Sequence, residues 1–309
     1  VKKNIIIGTR SSKLALWQAE HIAACLKKQY PDLTVELKHV MTTGDKILDT
    51  PLAKIGGKGL FTKELETEML AGDIDFAVHS LKDMPTQIPE GLCLAVITKR
   101  FDSGDALVSP KYKTLNALPR GAKVGTSSLR RKAQLLHVRP DLDICDLRGN
   151  VNTRLKKLET ENFAAIVLAA AGLKRLGLAE LITDIILPEI CLPAVGQGAL
   201  AIEARADDAA VLDLLAFLND AESVQHSTAE RAFLAAVEGG CQVPVGVYAQ
   251  TKENQLHVEA VIASVDGKRL IRDSITGSGA DADKLGSALA QRLLDAGGRE
   301  IMQELGLLL

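Results

Sequence analysis

Strand-length apolar runs alternate along this chain with stretches whose apolar positions recur every three or four residues. Ile5, Ile6 and Ile7 form the first run. From Lys13 to Gln29, Leu16, Ala19, Ala23 and Leu26 share one helical face. The same alternation predicts strands over residues 35–40, 75–79, 122–125, 144–147 and 164–170. It predicts helices over 61–71, 129–136 and 153–158. Strands alternating with helices predict parallel sheets with crossover helices. Beyond residue 198 the pattern changes. Residues 211–236 are helical in period. Residues 256–263 alternate like a half-buried strand, and 270–276 pair with them across the Asp266-Gly267 turn. Residues 285–305 predict a closing amphipathic helix broken near Gly297 and Gly298. Two stretches, 101–105 and 192–198, have the composition of hinges between units.

The 309 residues are enough for two or three domains. An apolar share of 47% and a charged share of 25% suit packed globular domains. The net charge of −2 gives no basic field for nucleic acid, and 3% aromatic residues give no stacking platform for bases. No apolar run approaches the ~20 residues of a membrane span. The run at Ile5–Ile7 is too short for a signal-peptide core, so a cytoplasmic protein is expected. Cys25, Cys93, Cys145, Cys191 and Cys241 are widely spaced and form neither a disulfide framework nor a zinc site; no metal is expected.

Candidate chemistry gathers where strands meet helices. Gly8-Thr9-Arg10-Ser11-Ser12 and Gly125-Thr126-Ser127-Ser128-Leu129-Arg130-Arg131 each place a glycine, hydroxyls and cations at a helix start. Helix N-termini offer unpaired N–H donors and partial positive charge, and cations placed there favour an anionic ligand. The plainer alternative is N-capping with solvent-facing cations. Between Arg120 and Lys156, nine Lys and Arg face three Asp, a local excess of +6. Asp83 follows a buried strand, in position to act as acid and base or to stabilise a developing cation; a capping aspartate is the alternative. Lys82 beside it suits a substrate carboxylate. His79 fits a packed strand residue better than a ligand. Residues 42–60, rich in glycine, have the length of a lid that carries Lys58, but lack Walker A spacing. In Glu238-Gly239-Gly240-Cys241-Gln242, a thiol without a partner cysteine suits a nucleophile or covalent anchor, or is an inert loop cysteine.

Together with Gly56-Gly57-Lys58-Gly59-Leu60-Phe61, His79-Ser80-Leu81-Lys82-Asp83-Met84-Pro85, Leu147-Arg148-Gly149-Asn150 and Pro193-Ala194-Val195-Gly196-Gln197-Gly198, these motifs make the chain resemble the porphobilinogen deaminases, or hydroxymethylbilane synthases, of tetrapyrrole (haem) biosynthesis. The resemblance implies an α/β fold class: two periplasmic-binding-protein-like α/β domains plus a small C-terminal α+β domain. It implies domains at 1–98 with 199–216, at 104–192, and at 221–309. It implies a monomer that joins four porphobilinogen molecules head to tail, releasing ammonia. They grow on a dipyrromethane attached to Cys241, and hydroxymethylbilane is then cut off by water. Asp83 and Lys82 are the implied catalytic residues. Ser12, Ser80, Lys82, Thr126, Ser127, Ser128, Arg130, Arg131 and Arg148 are implied to bind the cofactor. Arg10, Ser12, Arg148, Asn150, Arg154, Arg175 and Gln197 are implied to bind substrate. One departure stands out: Gly104 occupies the place of a second hinge arginine in the family, which implies a looser hinge. A non-catalytic carboxylate binder, with nothing on Cys241, is the competing reading; nucleotide binding lacks its phosphate loop.

Overall fold

The computed structural model describes residues 2–46, 59–237 and 243–306. Strand β1 (Asn4–Thr9) alternates its faces: Ile5 and Ile7 are buried with Ala19, Ile22 and Leu26 of helix α1 (Lys13–Gln29), while Ile6 packs toward Leu65 and Met69. Beside it lie β2 (Thr34–His39), β3 (Phe76–Ser80) and β4 (Leu92–Ile97). The chain then crosses to a second sheet of β5 (Asp105–Val108), β6 (Lys123–Gly125), β7 (Asp143–Cys145), β8 (Ala165–Ala169) and β9 (Asp184–Ile186). It crosses back as β10 (Leu200–Arg205) and enters the first sheet.

The strand orders are β2-β1-β3-β10-β4 and β7-β6-β8-β5-β9. Neither sheet is the wholly parallel one that the alternating pattern predicts. β10 runs antiparallel to β3 and β4, and β5 antiparallel to β8 and β9. Each antiparallel strand is the one delivered by a crossing between units, so it arrives from the opposite end of the sheet. The third sheet is an antiparallel meander of β11 (Val245–Lys252), β12 (Gln255–Ala263) and β13 (Leu270–Gly277), covered by helices Ala221–Ala236 and Ala282–Leu293. The helical period over 211–236 is interrupted: a helix ends at Leu215, and Asp220 caps a new one by accepting from Ser223 N–H at 2.9 Å. Gly297, at φ +109°, breaks the final helix where the sequence predicts.

One carboxylate joins both crossings to the third sheet. Fully buried Glu230 accepts two bonds from Arg100 of the first crossing, one from Gly196 N–H of the second, and one from Ala249 N–H of β11. The hinge residues are otherwise tied: Asp102 pairs with Lys174 at 2.5 Å and accepts from Gly104 N–H at 2.8 Å.

Candidate functional site

The two helix starts are built alike. A Cβ on Gly8 would come within 2.3 Å of Ile74, and one on Gly125 within 2.9 Å of Leu147. Both glycines are there for close packing rather than for a positive φ. Ser12 caps α1 by accepting from Ala15 N–H at 3.3 Å, and Ser128 caps helix Leu129–Val138 by accepting from Arg131 N–H at 3.4 Å. Asn150 does the same for helix Val151–Thr160 through Thr153. Ser127 Oγ donates to the carbonyl of Leu147 and accepts from its N–H, and Thr126 is buried, its Oγ accepting from Ser128 N–H. These hydroxyls thus have local structural partners, as the capping alternative expects.

Four of the candidate residues meet in one cavity. β3 runs into a tight turn at Leu81–Asp83, and Asp83 stands exposed at its end. A cavity of about 70 Å³ is lined by Asp83 with Arg10, Ser12 and Ser80. Sequence reasoning passed over two of its other residues. Gln18, buried one turn into α1, donates to Ser80 Oγ at 2.8 Å. Phe61 lies under the Arg10 guanidinium, 4.2 Å from ring centroid to Cζ. Arg10 is also held by Asp45. Burial works to raise the Asp45 carboxyl, but hydrogen bonds from Arg10 and Thr42 leave it below its usual range.

Asp83 acts on cations from both units. Lys82 has its pKa pushed down to about 8, chiefly by burial, with Asp83 opposing the shift and Arg131 adding to it. Arg154 is pushed down to about 10 by burial and by Arg131 and Arg148, again against Asp83. Arg154 Nε donates to the Gly149 carbonyl at 2.7 Å, which aims the side chain back along the loop that carries Arg148.

Arg130 and Arg131, expected at the cofactor, have protein partners of their own. Both are buried, and both close on Asp105, the first residue of β5. Arg130 donates to it at 2.6 and 3.2 Å and Arg131 at 3.0 and 2.7 Å. The guanidiniums hold the Asp105 carboxyl far below the usual carboxylate range against the effect of burial. Gln197, also expected at substrate, is buried at the second crossing and donates to Asp105 at 2.9 Å and to the Ser103 carbonyl at 2.7 Å. These three residues shape the crossover and orient their neighbours. A lone aspartate opening the apolar strand Asp105-Ala106-Leu107-Val108 was the available signal for this hub.

Arg175 does not line the Asp83 cavity. It donates to the Gly198 carbonyl at 2.7 Å and sits over Trp17 in a separate groove. His79 is a packed strand residue at the cavity wall, its Nε2 3.2 Å from an oxygen of fully buried Glu203. Among the described residues no cluster of three or more His, Cys, Asp or Glu has metal-binding geometry, and no helix is long and apolar enough to cross a membrane. Cys241 and the lid residue Lys58 lie outside the described residues.

An exposed acid thus lies beside a guanidinium and hydroxyls, groups with the chemistry of an enzyme site that moves a proton and holds a carboxylate. Family comparison narrows this. Residues 5–213 match the model described as "Porphobilinogen deaminase, dipyromethane cofactor binding domain", and residues 224–295 match "Porphobilinogen deaminase, C-terminal domain". The porphobilinogen deaminase of Trichlorobacter lovleyi is 53% identical over 98% of this chain and 96% of its own length. That of Geobacter sulfurreducens is 53% identical over 96% and 93%, and that of Chloroherpeton thalassium 51% over 99% and 98%. The chain belongs to the porphobilinogen deaminase family, whose members are transferases of tetrapyrrole biosynthesis. Among solved structures, the methionine-binding protein MetQ covers 72% of this chain and 90% of its own, at 18% identity and a TM-score of 0.45. The strand orders above, not that likeness, define the fold.

Proposed function

We propose that this chain joins porphobilinogen molecules head to tail on a dipyrromethane carried by Cys241, and then releases hydroxymethylbilane by hydrolysis. The observation that carries the reading is the cavity in which Asp83 stands beside Arg10, Ser12 and Ser80. A dipyrromethane fits the charge of this site: Lys82 and Arg154 are buried cations, and the carboxylates of a dipyrromethane carry the opposite charge. Lys82, Ser80 and Arg148 are the residues we assign to hold it, with Arg10, Ser12 and Arg154 receiving the carboxylates of incoming porphobilinogen. Bound there, the cofactor supplies a nucleophilic pyrrole carbon.

In each addition the aminomethyl C–N bond of porphobilinogen breaks and a C–C bond forms between pyrroles. The pyrrole proton that is lost balances the ammonia, which leaves as ammonium. Asp83 stabilises the cation left when nitrogen departs and moves the proton. Arg130, Arg131 and Gln197 act through Asp105 by fixing the strand crossings, and Thr126, Ser127, Ser128 and Asn150 by fixing the loops between strand and helix. The protein is proposed to act as a monomer in the cytoplasm.

Intact-mass measurement tests the reading. A mass increment matching a dipyrromethane, absent from Cys241→Ser, is expected. An unmodified wild-type chain that still makes hydroxymethylbilane would overturn it.

A further inference from the structure

A second recess, larger than the Asp83 cavity, lies elsewhere in the molecule. It is a groove of about 1000 Å³, at the upper end of the range for small-molecule sites, and the two share no lining residue. The groove is walled by the outer turns of α1, by the first crossing and by the helix Ala170–Arg175, so it touches both α/β units.

Its chemistry is unlike the rest of the surface. The chain has one Trp, three Tyr and six Phe, and the Trp and two of the Phe line this groove. Trp17 stacks on His21 with centroids 5.0 Å apart and planes 6° from parallel. Phe101 and Phe217 are 61% and 42% exposed, the latter meeting Tyr30 edge-on at 5.8 Å, and with Trp17 they give the groove its apolar surface. Lys28, Lys99 and Arg175 add positive charge, Lys174 is paired with Asp102 beside the first crossing, and no Asp or Glu among the described residues lines the groove. Arg175 sits over Trp17 at 5.7 Å, and burial alone accounts for a pKa pushed down to about 10.

We propose that this groove is a second ligand site, which binds a planar aromatic polycarboxylate. Its rings stack on the exposed aromatic faces and its carboxylates meet the lysines and Arg175. Neither charge nor apolar surface alone is sufficient. An aliphatic polyacid leaves the rings uncovered, and a neutral aromatic brings no charge to Lys28 and Lys99. Pyrrole polycarboxylates and unrelated aromatic acids share this chemistry.

Trp17 is the chain's sole tryptophan and lies in the groove, so intrinsic fluorescence reports on it directly. The full chain is titrated with mellitate, with uroporphyrin, with citrate and with benzyl alcohol. Saturable change is expected with both aromatic polyacids and not with citrate or benzyl alcohol. The relative affinities of mellitate and uroporphyrin identify which source the groove prefers. Lys28→Glu with Lys99→Glu, two exposed positions outside the Asp83 cavity, is expected to weaken binding at least about ten-fold. That variant should keep its thermal midpoint and its turnover of porphobilinogen. A response to citrate equal to that for mellitate, no saturable response to either aromatic polyacid, or undiminished binding by the charge-reversed variant overturns the proposal. Because binding is read without turnover, a failure here leaves the assignment at Asp83 standing, and an inactive Asp83 variant leaves this site intact.

Discussion

The two α/β units have one topology and opposite electrostatics. Each sheet begins with three parallel strands, takes an antiparallel strand from a crossing, and ends on an edge strand. Each carries a packed glycine and a capping serine where its first central strand meets a helix. In the first unit the loop after β3 presents an exposed acid, Asp83. In the second, the acid at the sheet is Asp105, sealed beneath two arginines. The exposed acid thus follows a parallel strand of the first sheet, whereas the buried one opens the antiparallel strand of the second. Solvent access is what separates them: Asp83 is exposed, whereas two guanidiniums hold buried Asp105 as an anion.

The sharpest break of this contrast is to remove each acid. Asp83→Ala is expected to lower tetrapyrrole formation by about a hundred- to ten-thousand-fold, read by steady-state assay, with an unchanged denaturation midpoint. Asp105→Ala is expected to do the reverse in kind, costing about 3–5 kcal/mol in urea unfolding because two buried guanidiniums lose their partner. Since the Asp105 carboxyl is held far below its usual value of 3.8, the unfolded chain binds its proton first. Its contribution is complete above pH 3.8 and declines as the pH falls further, so wild type should lose stability in that window more steeply than Asp105→Asn.

Lys82 tests how far the second unit reaches into the first. With its pKa at about 8, it is charged below that pH, and carboxylate binding should weaken as pH rises through it. kcat/KM for porphobilinogen is expected to fall above about pH 8, and Lys82→Arg to carry that limb to higher pH. The smallest effects belong to the caps. Ser12→Ala and Ser128→Ala should each cost about 1 kcal/mol of stability, and only Ser12→Ala, which opens onto the Asp83 cavity, should also raise KM.

Local signals carried part of this into the sequence. Helix Lys13–Gln29 is legible to the residue, because Ser12 supplies a cap and the apolar spacing holds over its whole length. The hairpin across Asp266 and Gly267 is legible because its turn is encoded by adjacent residues. β10 was not, since an apolar strand does not announce which sheet it joins or in which direction, and its partner β3 lies over a hundred residues away. The site divides in the same way. Arg10, Ser12, Ser80 and Asp83 meet as the motifs suggest, each placed by its own strand end. The fate of Arg130 and Arg131 depends on Asp105, which is distant in sequence and reaches them only once the chain has crossed between sheets. Nothing in the spacing of the arginines distinguishes one that meets solvent from one sealed beneath a sheet.

Glu230 has a mechanical meaning. The two strands that cross between the α/β units are both fastened to this one carboxylate, and it is fastened in turn to the third sheet. Gln197, which reaches from the second crossing to the Ser103 carbonyl of the first, and Lys174, which pairs with Asp102, add further ties at the same place. Replacing Glu230 with an uncharged isostere therefore loosens three parts of the chain at once, while leaving the two crossings still bonded to each other.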